Sequence, residues 1–326
     1  MLAEKLYQAH HNHPAPNILV IGDLMLDHYI FGAASRLSPE APVPIVNVNK
    51  ETKIIGGAAN VASNLIDLGA KVQLAGLIGD DIPGEEIKAL LAAKNIDTSL
   101  IIKDQSRRTT LKTRIIAGTH QIVRIDNEDI HDILPDLETR FINLLSDHIE
   151  HADLVILSDY NKGLLTHSLS LKIINLCNSL NKRVIVDPKG LDYSKYQGAF
   201  IIKPNRKELA EASKTERINT EEALIKAANV ILTTTGASYL IVTLSEAGIA
   251  IISKNDCKVI PVVATEVYDV TGAGDTVIAT LAYCLALDFN IEEASKIANY
   301  AASIVIKHIG SATTTTDEII TSLKNN

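Results

Sequence analysis

Short apolar runs alternate with segments of helical periodicity along most of this chain. That alternation restricts the fold to a mostly parallel sheet covered by helices on both faces. Residues 17–23 (NILVIGD) form one such run, closing on Gly22 and Asp23. Residues 71–78, 153–157, 183–187, 199–202 and 239–244 read the same way. Between them, residues 57–69 carry apolar side chains at helical spacing up to Gly69, and residues 83–95 form a helix with Pro83 in its first turn. Ligands of such sheets bind beyond the carboxyl ends of the strands. Gly22-Asp23, Ser158-Asp159, Asp187-Pro188-Lys189 and Ser245-Glu246 all fall there.

Two segments break the rhythm. Residues 28–49 and 101–126 are strand-like, and no helix follows either. Neither is long enough to fold alone, so they are expected to pair with each other as a small antiparallel sheet. The predicted organisation is a single α/β domain over residues 1–326 with a β lid built from these two insertions. No internal repeat, low-complexity stretch or flexible linker interrupts it.

Composition narrows the partners. The chain has 326 residues, a net charge of −8, no tryptophan and 4% aromatic residues, which argues against nucleic-acid binding. No run of about 18 uncharged apolar residues exists, so no membrane span is predicted. The first sixteen residues, MLAEKLYQAHHNHPAP, lack the apolar core of a signal peptide, which makes a cytoplasmic location the expectation. Cys177, Cys257 and Cys284 are scattered, odd in number and form no CxxC pair. They read as small buried hydrophobes rather than a disulfide framework or zinc site.

The chemistry concentrates at Asp269-Val270-Thr271-Gly272-Ala273-Gly274-Asp275-Thr276, followed at once by a long apolar stretch. This is a glycine-rich turn opening a helix, with a carboxylate in the helix's first turn. Free amides at Gly272, Ala273 and Gly274 make an anion cradle, and small residues let a phosphate approach closely. Asp275 sets a proton acceptor beside it. A kinase needs both parts, a site for the moving phosphoryl group and a base for the attacking hydroxyl. Read without function, the same residues are a helix start with Asp275 complementing the dipole. The chain has no G-x-x-x-x-G-K-[ST], and Val277 occupies the last glycine position of a G-x-G-x-x-G match, so P-loop and dinucleotide motifs are both excluded. An ordinary Asp titrates near a pKa of about 3.9 and a helix N-terminus lowers it. Asp275 is therefore expected to be a weak base that takes the proton late, as the new bond to phosphorus forms.

Gly56-Gly57-Ala58-Ala59-Asn60-Val61-Ala62, running on to Leu65, Leu68 and Gly69, resembles the first signature of the PfkB (ribokinase-like) sugar kinases, and residues 269–275 resemble the second. Gly22-Asp23-Leu24-Met25-Leu26-Asp27-His28-Tyr29 and the segment SRLSPEAPVP from Ser35 to Pro44 resemble one branch, the D-glycero-β-D-manno-heptose 7-phosphate kinases. Residues 121–126 (QIVRID) and Asp187-Pro188-Lys189-Gly190 are similar to that branch too. The resemblance implies a ribokinase-like three-layer α/β fold with a mostly parallel sheet and a small β lid. It implies a magnesium- and ATP-dependent kinase that phosphorylates the anomeric hydroxyl of the heptose 7-phosphate, giving the 1,7-bisphosphate, in lipopolysaccharide heptose synthesis.

The same resemblance implies roles. Asp275 would be the base and residues 272–274 the anion hole. Asp27, Gly56, Gly57 and Asn60 would hold the sugar. Asn205 and Glu208, in Lys203-Pro204-Asn205-Arg206-Lys207-Glu208, would order magnesium, water and triphosphate, with Glu208 reaching the metal through water. Ser245, Gly248, Asn299 and the Gly310-Ser311 turn would flank the nucleotide. Asp269, with nearby carbonyls, would hold a monovalent cation such as potassium. Several of these have plainer readings. Asp27 also suits a surface turn, Asn205 and Glu208 also form a capping box, and Asn299 also suits a solvent-facing helix position.

One argument for an anionic sugar stands apart from the family. Between positions 103 and 124 lie Lys103, Arg107, Arg108, Lys112, Arg114 and Arg124, against the single acid Asp104. A basic patch in an acidic protein favours an anionic ligand, although strand alternation turns some of these side chains to solvent. Arg36, Lys112, Arg114, Arg124 and Lys189 are the candidates for the sugar phosphate. Free lid edges point to a homodimer paired through the lids. Bifunctional members of the branch continue into a nucleotidyltransferase domain. The sequence holds no H-x-G-H element of that domain, and either a one-domain kinase or the first half of a longer protein fits it. The alternatives for activity are another PfkB kinase, acting on ribose, fructose 1-phosphate or a nucleoside, and a non-catalytic sugar and nucleotide binder.

Overall fold

The computed structural model describes residues 1–262, 267–308 and 310–325. In chain order the elements are α1 (Leu2–Asn12), β1 (Asn17–Gly22), β2 (Leu24–Leu37), β3 (Pro44–Gly57), α2 (Ala58–Asp67), β4 (Lys71–Ile78), α3 (Ile82–Ala93) and β5 (Ile101–Lys103). There follow β6 (Thr110–Ala117), β7 (His120–Asn127), α4 (Pro135–His151), β8 (Leu154–Ser158), α5 (His167–Ser179), β9 (Arg183–Asp187), β10 (Ile201–Ile202) and α6 (Arg206–Ala212). The chain closes with α7 (Glu221–Thr235), β11 (Tyr239–Thr243), β12 (Ile249–Ile252), β13 (Cys257–Ile260), α8 (Ala273–Ala286), α9 (Ile291–Val305) and α10 (Thr316–Lys324).

Among the described residues the strands form two sheets. The large one runs β13-β12-β11-β10-β9-β8-β1-β4-β5, parallel except for β12 and β13 at one edge. Its central strands are apolar on both sides because both faces are covered. In β1, Ile18 and Val20 enter the apolar cluster shared with α2, α8 and α9, whereas Leu19 and Ile21 enter the one shared with α4, α5 and α7. Successive side chains of a strand point to opposite faces, so one short run supplies both layers. The small sheet runs β3-β2-β6-β7.

The small sheet differs from the sequence expectation in two ways. Residues Ile101–Lys103 do not belong to it; they pair in parallel with β4 at the edge of the large sheet. Its central pair, β2 and β6, is parallel rather than antiparallel. The reason is topological. β2 leaves the carboxyl end of β1 and β6 follows β5, and β1 and β5 point the same way in the large sheet. Each strand runs outward and returns as a hairpin, β2 with β3 and β6 with β7. The base of β2, at Leu24, Met25 and Leu26, is buried, and its outer end is exposed. On the outer lid Val48, Ile122, Val123 and Ile125 are exposed apolar side chains. No described helix is long and apolar enough to cross a membrane.

Candidate active site

The start of α8 is the centre of the site. Gly272 precedes it with a φ of 79°, in the left-handed region that favours glycine, and packs against the Asn60 amide. The amide of Ala273 donates to the Val270 carbonyl at 3.2 Å. Ala273 is therefore not a free donor of the cradle, contrary to the sequence expectation. The amides of Gly272, Gly274 and Asp275 have no acceptor among the described residues and are the groups left to hold an anion.

Asp275 is 9% exposed. The Tyr160 hydroxyl donates to its Oδ1 at 2.6 Å and the Asn60 side chain donates to its Oδ2 at 2.6 Å. Burial pushes the Asp275 carboxyl above the usual aspartate range, against the pull of Tyr160, Asn60 and Lys203 toward ionisation. This reverses the expectation drawn from the helix terminus alone. Desolvation outweighs the dipole, so Asp275 is a better proton acceptor than an exposed first-turn aspartate. Tyr160, buried beside that carboxyl, is held well above the ordinary phenol range and stays a donor.

Both donors are fixed from behind. Asn60 sits in the first turn of α2, where its carbonyl accepts from Asn64 at 2.9 Å, and Thr276 of α8 donates to the Asn64 side chain at 2.8 Å. The two helix starts are thus tied together. Tyr160 lies in the turn after β8. The buried Asp23 carboxylate accepts the amides of Tyr160 at 2.9 Å, Lys162 at 3.1 Å and Leu164 at 3.4 Å, which fixes that turn. Burial and the neighbouring Asp159 push Asp23 upward. Tyr160 and Asp23 carry roles that the sequence reading did not assign. The available signal was their position, since each directly follows a parallel strand or its strand-end dipeptide.

On one side of Asp275 a cavity of about 750 Å³ opens, with Gly274 and Asp275 in its wall together with Lys189, Asn205, Glu208, Ser245, Gly248 and Asn299. Asn205 and Glu208 do form the reciprocal capping box of α6, at 2.8 and 2.9 Å, and they also face this cavity. The capping-box reading holds. Asn299 is 3% exposed and donates to the Pro261 carbonyl at 2.7 Å, so it does not face solvent. Lys189, expected beside the sugar phosphate, is here too, 2.7 Å from Glu208. Gly310 is not in the cavity wall. Its amide donates to Asp269 Oδ2 at 2.8 Å, while Asp269 Oδ1 accepts the Thr271 amide at 2.9 Å and hydroxyl at 2.7 Å. Asp269 is therefore a pin between the cradle loop and the Gly310 turn. Among the described residues no cluster of three or more His, Cys, Asp or Glu has metal-holding geometry.

On the lid side, Asp27 is 7% exposed and pairs with Arg114, whose guanidinium lies 5.1 Å above the Tyr29 ring. A surface turn is thereby excluded for Asp27. Gly56 abuts it, because a Cβ there would stand 2.4 Å from Asp27 Oδ2. Gly57 ends β3 and caps α2. The basic stretch is not the concentrated patch that its sequence suggests. Lys103 pairs with Asp80 and Glu85, Arg107 with Asp104, Arg108 with Asp129, Lys112 with Asp126 and Glu128, and Arg124 with Asp126. Most of these acids lie outside the stretch counted in the sequence, so folding neutralises the apparent excess. Arg36 sits on the exposed outer part of β2, far along the strand from Asp27, and Arg124 is on exposed β7. Lys112 and Arg114 are the candidates that border Asp27: Lys112 stands opposite it across β2 and β6, and Arg114, opposite Tyr29, pairs with it.

The pfkB family carbohydrate kinase profile matches residues 15–318. The chain belongs to this family. It is 49% identical over 304 residues to the bifunctional protein HldE of Aliarcobacter butzleri, covering 93% of this chain and 63% of that protein. It is 49% identical over 302 residues to the HldE of Helicobacter pylori strain Shi470, covering 93% of this chain and 65% of that one. The chain thus spans less than two thirds of the length of these curated relatives. In fold it is similar to the Arabidopsis thaliana ribokinase solved with ribose and ATP, with a TM-score of 0.76, 19% identity and coverage of 95% and 99% of the two chains. It is also similar to Escherichia coli phosphofructokinase-2 solved with potassium, with a TM-score of 0.76, 19% identity and coverage of 96% and 99%. The ribokinase-like fold expected of a pfkB-family chain is the fold observed.

The Tyr160 contact has a signed consequence. Its donated hydrogen bond favours the ionised form of Asp275, so Tyr160→Phe raises the Asp275 pKa further. The acid limb of the pH–rate profile for sugar phosphorylation should move to higher pH, with the protein still folded by circular dichroism. An acid limb that stays in place would contradict the assignment.

Proposed function

We propose that this chain is an ATP-dependent kinase that phosphorylates the anomeric hydroxyl of D-glycero-β-D-manno-heptose 7-phosphate, a step in making lipopolysaccharide heptose. The observation that carries the reading is the placement of Asp275. Its carboxyl stands between free helix-start amides bordering the nucleotide-sized cavity and the Asn60, Gly56 and Asp27 group at the base of the lid. The choice of sugar is supported by the 49% identity with the HldE proteins and by the Gly22–Tyr29 and Ser35–Pro44 motifs, not by the dispersed basic stretch.

In this reading ATP lies in the cavity beside Asn205, Ser245, Gly248 and Asn299. The sugar lies under the lid against Asp27, Gly56, Gly57 and Asn60, with Lys112 and Arg114 toward its phosphate. Asp275 accepts the proton of the anomeric hydroxyl as its oxygen bonds to the γ-phosphorus and the bond to the β,γ-bridging oxygen breaks. The amides of Gly272, Gly274 and Asp275 hold the charge that develops on the phosphoryl oxygens. Lid closure excludes water and limits wasteful hydrolysis. Magnesium suits the oxygen donors of Asn205 and Glu208, reached through water, and supplies charge to the triphosphate. A monovalent cation near Asp269 would share a carboxylate already engaged by Thr271 and Gly310. The enzyme works as one unit with its lid, in the cytoplasm where ATP is available. The exposed lid residues Val48, Ile122, Val123 and Ile125 pair two copies through their lids.

A turnover panel of purified protein with ATP and heptose 7-phosphate, ribose, fructose 1-phosphate and nucleosides tests the reading. Heptose 7-phosphate should give the highest kcat/KM, and preference for an unphosphorylated sugar would defeat the assignment. Asp275→Asn should lower kcat by on the order of 10³-fold with ATP binding retained; unchanged turnover would make the mechanism wrong. Gel filtration over a range of concentrations should give twice the chain mass of 35.3 kDa, and a monomer throughout would refute the dimer.

A further inference from the structure

We infer that Lys195, through Asp159, positions the Tyr160 hydroxyl on the base Asp275. The inference rests on the kinase reading above and adds a buried ion pair that the mechanism does not use. Lys195 lies in the short helical turn Ser194–Tyr196 between β9 and β10. Its ammonium donates to Asp159 Oδ2 at 2.5 Å and to the Leu165 carbonyl at 3.1 Å. The Tyr196 hydroxyl donates to the same Oδ2 at 2.7 Å. The Lys195 side chain is 11% exposed and that of Asp159 1%. Taking such a pair out of water is costly, and apolar side chains of similar volume often serve stability as well.

The pair has a use in the turn after β8, whose backbone two carboxylates hold. Asp23 accepts the amides of Tyr160, Lys162 and Leu164. Asp159 Oδ1 accepts the Asn161 amide between them, at 2.6 Å. Two residues of the turn are left-handed, Asn161 at a φ of 57° and Gly163 at 89°. Local preference alone does not favour that shape for Asn161. Tyr160 opens the turn, and its hydroxyl stands 2.6 Å from Asp275 Oδ1. A shift of the turn therefore moves a donor off the base.

Asp23 and Asp159 directly follow Gly22 and Ser158, which are register partners in β1 and β8, so the two residues are neighbours. Buried carboxylates side by side repel, and one takes up a proton unless a cation stands against them. Lys195 is that cation. The other cations nearby are engaged: Arg107 by Asp104, Arg108 by Asp129, Lys162 by Glu128 and, beyond β9, Lys203 by Asp187. Burial and Asp159 already push Asp23 up to about 6. Without Lys195 a further rise would protonate Asp23 near neutral pH and weaken its hold on three amides. The plainer reading makes the pair a strut between the turns after β8 and β9, since the Tyr196 hydroxyl also accepts the Lys189 amide at 3.2 Å. A strut accounts for that link. It gives no reason to set Asp159 beside a second buried carboxylate that binds the same turn.

The test is a double-mutant cycle on the full chain with Lys195→Met and Tyr160→Phe, read by kcat for the sugar that the wild type turns over best. Lys195→Met should lower kcat by on the order of 10-fold, with the KM for ATP unchanged. In the Tyr160→Phe background the same substitution should cause no further loss, because the contact it acts through is gone. Adding Asp159→Asn to Lys195→Met should restore kcat, since asparagine keeps an acceptor for the Asn161 amide and removes the charge beside Asp23. Should Lys195→Met fail to fold, Lys195→Gln, which keeps a donor for Asp159 without the charge, carries the same cycle. A second readout needs no turnover. The NMR signal of the hydroxyl-bearing ring carbon of Tyr160, identified by its loss in Tyr160→Phe, should shift in Lys195→Met and return with Asp159→Asn. Equal losses in both backgrounds, no loss in either, or a Tyr160 signal that stays put would overturn the proposal and leave the kinase reading standing. A signal that shifts and returns in a protein that phosphorylates no sugar would support the positioning role and sink the kinase reading instead.

Discussion

Burying the Asp275 carboxyl at the first turn of α8 is the constraint on which the rest of this site depends. An isolated carboxylate so enclosed would take up a proton and lose its use as a base. Tyr160 and Asn60 offset this by donating to its two oxygens, and Lys203 adds charge nearby. Each donor needs its own support. Asn60 is held through Asn64 and Thr276, which couples α2 to α8. Tyr160 is held through Asp23, whose carboxylate gathers the amides of the turn after β8. The parallel order of β1, β8 and β9 brings Gly22-Asp23, Ser158-Asp159 and Asp187 to one end of the sheet, so distant segments meet around one carboxyl.

Sequence reading went furthest where a local rule acts alone. The parallel strands β1, β4, β8, β9, β10 and β11 and the helix starts at Ala58 and Ala273 follow from periodicity, glycine placement and apolar runs, and the capping box at Asn205 from its side chains. What periodicity cannot give is direction of pairing. Residues 101–103 are strand-like whether they join the lid or the large sheet, and only the tertiary arrangement assigns them to β4. The parallel pairing of β2 with β6 likewise depends on where each strand leaves the large sheet.

Electrostatics were least legible. Counting charges along residues 103–124 finds a basic excess, but Asp80, Glu85, Asp126, Glu128 and Asp129 come from beyond that window and pair with it. The pKa of Asp275 departs from the sequence expectation for a related reason. A helix start is visible in sequence, whereas the burial that outweighs its dipole is not. Tyr160 and Lys195 share this difficulty, because a tyrosine after a strand or a lysine in a short helical turn acquires its meaning only from what the fold sets opposite it.

A crystal of the protein with heptose 7-phosphate and a non-hydrolysable ATP analogue tests the central claim most directly. The account predicts the anomeric oxygen within about 3 Å of an Asp275 carboxyl oxygen, in line with the γ-phosphorus, and the γ-phosphate on the amides of Gly272 and Gly274. A sugar bound with its anomeric oxygen turned away from Asp275, or a triphosphate whose terminal group avoids that helix start, would contradict it.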